Sequence, residues 1–150
     1  MPTARLAPLA LAAMLLVPGT PRAAGPGDLA AIREATQGRF QAAQGKYFDK
    51  DCGQQLDYEA EAVDLNQDGK PEVFTVVHGT CLGGHAGMHV QLYVQNAGGK
   101  WAPQLGFPGG YEVLKTRNKG FADIRITGPG NCAPVWRWNG QAYDIHKKCR

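Results

Sequence analysis

Nine residues, Asp64-Leu65-Asn66-Gln67-Asp68-Gly69-Lys70-Pro71-Glu72, set oxygen-bearing side chains at alternating positions around a glycine. Asp64, Asn66 and Asp68 can converge on one hard cation, Gly69 permits the sharp turn, the Lys70 carbonyl adds an oxygen and Glu72 closes the shell. Oxygen donors in that order are calcium chemistry, so Ca2+ is the expected cofactor. The loop departs from the EF-hand, because its twelfth position is Thr75 and strand-forming residues flank it. The competing reading is a tight turn in which Asp and Asn only satisfy backbone amides.

A second cluster is His78-Gly79-Thr80-Cys81-Leu82-Gly83-Gly84-His85-Ala86-Gly87-Met88-His89, which holds three of the four histidines. Three imidazoles can bind zinc and leave a position open for water, but this H-x6-H-x3-H spacing matches no zinc signature. The same glycines can make a thin loop whose backbone approaches another surface closely. His78, Leu82, Gly83, Gly84 and His85, with Phe107 and Tyr111 from the Phe107 to Tyr111 loop, are then the expected protein-contacting residues. Trp136 and Trp138, with Trp101, offer a stacking platform for sugar rings or, at period two, an ordinary core face. Glu59 and Glu61 share a strand face and read as acidic surroundings of the aspartate loop.

Composition narrows the chemistry. The chain contains no serine, which excludes serine nucleophiles. It has no phosphate-binding Gly-Lys-Ser/Thr loop and no dinucleotide fingerprint, and a net charge of +3 over 150 residues gives no nucleic-acid signature. Residues 1–24, with Arg5 before the apolar run Leu6 to Val17 and the small residues Ala23 and Ala24 after it, read as a secretory signal peptide. Residues 25–150 are expected to form one domain exported to the periplasm or beyond, with no membrane span and with self-association left open. Cys52, Cys81, Cys132 and Cys149 all follow the leader, and an even count in an oxidising compartment reads as two disulfides. The expected pairing is Cys81 with Cys132 and Cys52 with Cys149, although Cys81 with Cys52 stays open. With both bridges formed no thiolate is left for nucleophilic catalysis, and a binding scaffold is expected rather than an enzyme. Charge is segregated: Asp49 to Glu72 carries a net −6 and Lys100 to Arg150 a net +6.

These side chains need positioning elements. Leu29, Ile32, Thr36, Phe40 and Ala43 recur at helical spacing behind Asp28, predicting one helix over Leu29 to Gln44. Beyond it, Leu56 to Val63, Glu72 to Val77, Met88 to Gln95, Trp101 to Leu105, Tyr111 to Leu114, Ala122 to Thr127, Val135 to Trp138 and Tyr143 to His146 read as short strands. Asn96-Ala97-Gly98-Gly99 and Asn139-Gly140 read as hairpin turns. Closely spaced strands without helical crossovers imply antiparallel meanders. The expected fold is α+β, one amino-terminal helix packed on a curled antiparallel sheet.

The aspartate loop resembles that of FG-GAP and VCBS-type β repeats. Followed by Gly128-Pro129-Gly130-Asn131-Cys132-Ala133-Pro134-Val135-Trp136-Arg137-Trp138-Asn139-Gly140, a single copy is similar to a group of small exported bacterial proteins over residues 56 to 146. These pair an aspartate loop, a Cys-Gly-rich loop and a closing Trp-Asn-Gly hairpin, and include periplasmic immunity proteins against type VI secretion amidase effectors. The resemblance implies a protein-binding inhibitor that occludes a peptidoglycan amidase. A calcium-stabilised cell-wall or glycan-binding module is the alternative, and a zinc hydrolase ranks third.

Overall fold

The computed structural model describes residues 24–130 and 132–149. Nearly all of the expected leader therefore lies outside the described residues. Helix α1 (Pro26–Ala35) is followed by strands β1 (Gln44–Asp49), β2 (Gln54–Val63) and β3 (Glu72–His78). A helical turn α2 (Thr80–Gly83) and a 3₁₀ turn (Gly84–Ala86) lead into β4 (Met88–Gln95) and β5 (Trp101–Pro108). The chain closes with β6 (Gly110–Asn118), β7 (Phe121–Thr127), β8 (Val135–Trp138) and β9 (Tyr143–Lys147). The strands form two antiparallel sheets, β1-β2-β3-β4-β5 and β6-β7-β8-β9. This corrects the expectation of a single curled sheet, and α2 adds helical structure to the one expected helix.

The sheets pack face to face. Phe74, Val90, Leu92, Val94 and Leu105 of the first meet Ala122, Ile124, Ile126, Trp138 and Tyr143 of the second in one buried cluster. The other face of the first sheet is covered by α1 and the loop after it: Ala31, Ile32 and Ala35 of the helix and Phe40 of the loop pack on Leu56, Tyr58, Ala60, Val73 and Val77. Strand β3 therefore lies between two apolar layers, which explains its unbroken Val73-Phe74-Thr75 burial. In β4 strict alternation sends Val90, Leu92 and Val94 into the sandwich.

Helix α1 starts earlier and stops earlier than its apolar spacing predicts. Gly25 is its N-cap, Pro26 occupies the first helical position where no amide partner is needed, and Asp28 accepts the Gly25 N–H at 2.8 Å. At the other end the Thr36 hydroxyl donates to the Ile32 carbonyl at 2.8 Å and accepts the Phe40 N–H at 3.1 Å. Gln37 and Gly38 take positive φ, +53° and +79°, and the helix ends. Phe40 is still buried, but from a loop, and Gln44–Asp49 pairs with β2 as an edge strand.

The disulfides are Cys52–Cys81 and Cys132–Cys149, with Cα separations of 6.0 and 5.3 Å. This corrects the expected pairing. Sheet order supplies the reason: the β1–β2 turn and the segment after β3 share one end of the first sheet, while Cys132 and Cys149 flank a β8–β9 hairpin whose register matches Val135 with Lys147. Both bridges thus join ladder neighbours rather than distant loops. Among the described residues, the ion pairs Lys46–Asp57, His78–Glu59, Arg125–Glu112 and Arg137–Asp123 each lie within one sheet.

Candidate functional site

The second sheet covers only part of the first. Register pairs Gln44 with Glu59 and Lys46 with Asp57, then Glu59 with Val76 and Glu61 with Phe74, so all of these side chains share the face turned toward the second sheet. Over β3 to β5 that face is buried, while over β1 and β2 it is open. The result is a shelf carrying Lys46, Phe48, Asp57, Glu59 and Glu61, of which Phe48 is 59% exposed. Where the shelf meets the sandwich, a cavity of about 270 Å³ is lined by Gln44, Glu59, Glu61, Phe74, Val76 and Tyr111.

Two expected contact residues sit on this shelf. The Tyr111 ring stacks on Phe74 at 3.9 Å and its hydroxyl donates to Glu61 Oε1. Burial, reinforced by that bond to a carboxylate, raises the Tyr111 pKa and keeps the phenol a donor. His78 Nε2 lies 3.2 Å from Glu59 Oε1. The two glutamates therefore hold His78 and Tyr111, a role that their sequence position beside the aspartate loop had hidden.

The other expected contact residues divide. The Cys52–Cys81 bridge ties α2 to the β1–β2 turn, at the Phe48 and His78 end of the shelf. The 3₁₀ turn that follows lies against β5, the opposite edge of the sheet from β1, and exposes Gly84, whose φ is +52°, and His85. Leu82 packs against the helix-side core, and Gly83 is buried so tightly that a Cβ on it would meet Met88 N at 2.2 Å. The segment is thus a compact helical turn, which corrects the expectation that Leu82 and Gly83 present themselves on a thin loop. Phe107 is on β5, the opposite edge strand from β1, half-buried with its ring 4.8 Å from that of Trp136. His89, half-buried, is held below its usual pKa by desolvation. Among the described residues, no three His, Cys, Asp or Glu side chains gather as a metal cluster.

The tryptophans form no common platform. Trp138 is 9% exposed, in the sandwich, stacked on Phe121 at 4.5 Å. Trp136 packs at the edge of the same core, and Trp101 lies against the helix-side cluster with its indole N–H 3.4 Å from Glu34.

The aspartate loop closes on itself. Asp64 accepts the Asp68 and Gly69 amides at 3.2 and 2.9 Å, Asn66 Oδ1 the Asp68 amide at 3.0 Å, and Asp68 Oδ1 the Lys70 amide at 2.7 Å. Gln67 and Gly69 supply the positive φ values, +63° and +85°. Glu72, at the start of β3, is 4% exposed and accepts the Leu65 N–H at 2.8 Å. Burial, reinforced by the Asp68 and Asp64 charges, pushes its pKa up to about 7. The expected cation ligands are Asp64, Asn66, Asp68, the Lys70 carbonyl and Glu72, but Asp64, Asp68 and Glu72 do not gather as a metal cluster, Glu72 turning inward to Leu65. A buried carboxylate raised by two like charges is an environment that positive charge relieves. No family model, curated protein or solved structure matches the chain.

Proposed function

We propose that the chain is a protein-binding inhibitor of the exported, periplasmic kind, which blocks a peptidoglycan amidase effector with the open β1–β2 shelf. The observation that carries this reading is the uncovered half of the first sheet, where exposed Phe48 stands beside carboxylates on a rigid, disulfide-tied frame. An apolar anchor set among charges, most of them of one sign, is the composition of a protein contact, with the charge steering encounter and the anchor supplying affinity. Two disulfides accord with an oxidising compartment. Among the described residues, no helix is long and apolar enough to cross a membrane.

Co-expression with an amidase effector encoded beside it is expected to give a stable equimolar complex with suppressed amidase activity. Phe48→Asp together with Glu59→Lys on the exposed shelf should weaken that complex by at least about tenfold. Unchanged affinity in this variant overturns the shelf as the contact surface.

The aspartate loop is proposed as a Ca2+ site that stabilises this frame. With calcium in several-fold excess over a dissociation constant near the ~10⁻⁴–10⁻³ M of extracellular modules, stability should rise by about 1–2 kcal/mol. The thermal midpoint should then move up by a few degrees. Asp64→Ala with Asp68→Ala should abolish the rise. A wild-type midpoint indifferent to calcium refutes the site.

A further inference from the structure

A cleft of about 660 Å³ opens between the aspartate loop, the β4–β5 turn and the β8–β9 turn. That volume is within the ~300–1,000 Å³ range of ligand sites. We infer that this cleft binds a neutral saccharide, read by the carboxamides of Gln95, Asn96, Gln104 and Gln141 and floored by the Phe121 ring.

The wall has the chemistry for it. Besides Asn66 of the aspartate loop, these four carboxamides come from three separate segments and line one concavity. A carboxamide both donates and accepts, as a sugar hydroxyl does, and carries no charge that would demand an ionic partner. Two of the four are fixed by the backbone. Asn96 Oδ1 accepts the Gly98 and Lys100 amides at 3.0 Å each, and Gln104 Oε1 accepts the Tyr143 amide at 3.3 Å. Those bonds use the oxygens, so the NH₂ ends are what these residues offer the cleft as donors. Phe121 is half-buried, and its ring stacks on Trp138 at 4.5 Å. It adds a flat apolar surface of the type that packs on the C–H face of a pyranose. Exposed Asp68 on the same wall supplies acceptors for further hydroxyls, and with Lys70 beside it the wall has no charge of a single sign. Gln95 and Gln141 give the wall two complete donor and acceptor pairs.

This site is distinct from the acidic shelf and does not depend on the inhibitory reading. It also replaces the three-tryptophan platform with a different set of residues. Only Trp138 of those three lines the cleft, behind Phe121.

The test is calorimetric titration of the full chain with cellotetraose and with the N-acetylglucosamine tetramer, each with calcium and with chelator. At least one tetramer should bind with a dissociation constant below about 1 mM. Gln95→Ala with Gln141→Ala should weaken it at least about tenfold at an unchanged thermal midpoint. Ala97→Trp, at an exposed turn position lining the cleft, should block it without disturbing the core. The shelf substitution Glu59→Lys should leave it intact. No binding of either tetramer up to about 10 mM, or binding that survives Ala97→Trp, overturns the inference.

Discussion

Replacing Gly109 with alanine should cost about 4 kcal/mol, a large fraction of the ~5–15 kcal/mol that holds a domain of this size together. Two independent penalties meet at this residue. Its φ is +133°, in the region that side chains avoid, and holding a non-glycine residue in such a conformation costs about 1–3 kcal/mol. A Cβ would also lie 2.2 Å from the Thr127 carbonyl oxygen, a backbone atom that no rotamer change can move aside. Overpacking of that kind costs about 1–3 kcal/mol more. The position matters because Gly109 joins β5 of the first sheet to β6 of the second, while its own N–H donates to the Met88 carbonyl at 2.8 Å. A Cβ there must push the Thr127 end of β7 away from the crossover and loosen the sandwich. The measurement is the thermal midpoint, expected to fall by roughly 10–15 °C. Gly99→Ala is the control, since Gly99 also has positive φ, +75°, but a Cβ there would meet nothing within 4 Å. It should lose only the conformational part, about 1 kcal/mol. Equal losses in the two variants would rule out the clash with Thr127 as a cause.

That crossover also shows where sequence reasoning ends. Met88–Gln95 and Val135–Trp138 form strands at the expected bounds because alternation and flanking turns are local signals. The Asn96 and Asn139 turns were legible for the same reason: each side-chain oxygen caps amides two to four residues on. Strand periodicity carries no information about which sheet a strand joins, so the division at Pro108-Gly109-Gly110 read as one more turn. Strand β1 was hidden because Phe40 and Ala43 extend the helical spacing, while its own outward residues follow no apolar pattern. The disulfide partners depended on strand order, a tertiary property. The aspartate loop was legible from spacing alone, but the burial of Glu72 was not. Nor was the shelf, which exists only because the second sheet stops short of β1 and β2. Its residues Glu59 and Glu61 read as charge near a loop until the fold set them against His78 and Tyr111.

The outer face of the second sheet supplies the other large effect. Asp123 lies in β7 between the core residues Ala122 and Ile124, so its side chain points away from the sandwich. It is nevertheless 1% exposed, because Arg137 and Thr116 close over it. Arg137 grips it with both ends of the guanidinium at 3.0 and 2.7 Å, and the Thr116 hydroxyl donates at 2.7 Å. The Arg137 bonds, followed by Thr116, hold the Asp123 carboxyl below its ordinary pKa. A depressed carboxylate contributes stability that is present above the unfolded value of about 3.9 and is lost as pH falls through the folded value. Asp123→Asn keeps the shape but removes the charge, and should cost about 3 kcal/mol at neutral pH through the weakened charge-assisted bonds. Its surroundings sharpen the effect. Lys115, Arg125, Arg137, His146 and Lys147 line the concavity that Asp123 floors, so the substitution leaves a cationic surface without its central counter-charge. Urea unfolding at pH 7 and again near pH 3 tests this. The gap between wild type and variant should be widest at the first and narrower at the second. A gap that is the same at both would mean that the carboxylate's charge, as distinct from its shape, does nothing for this sheet.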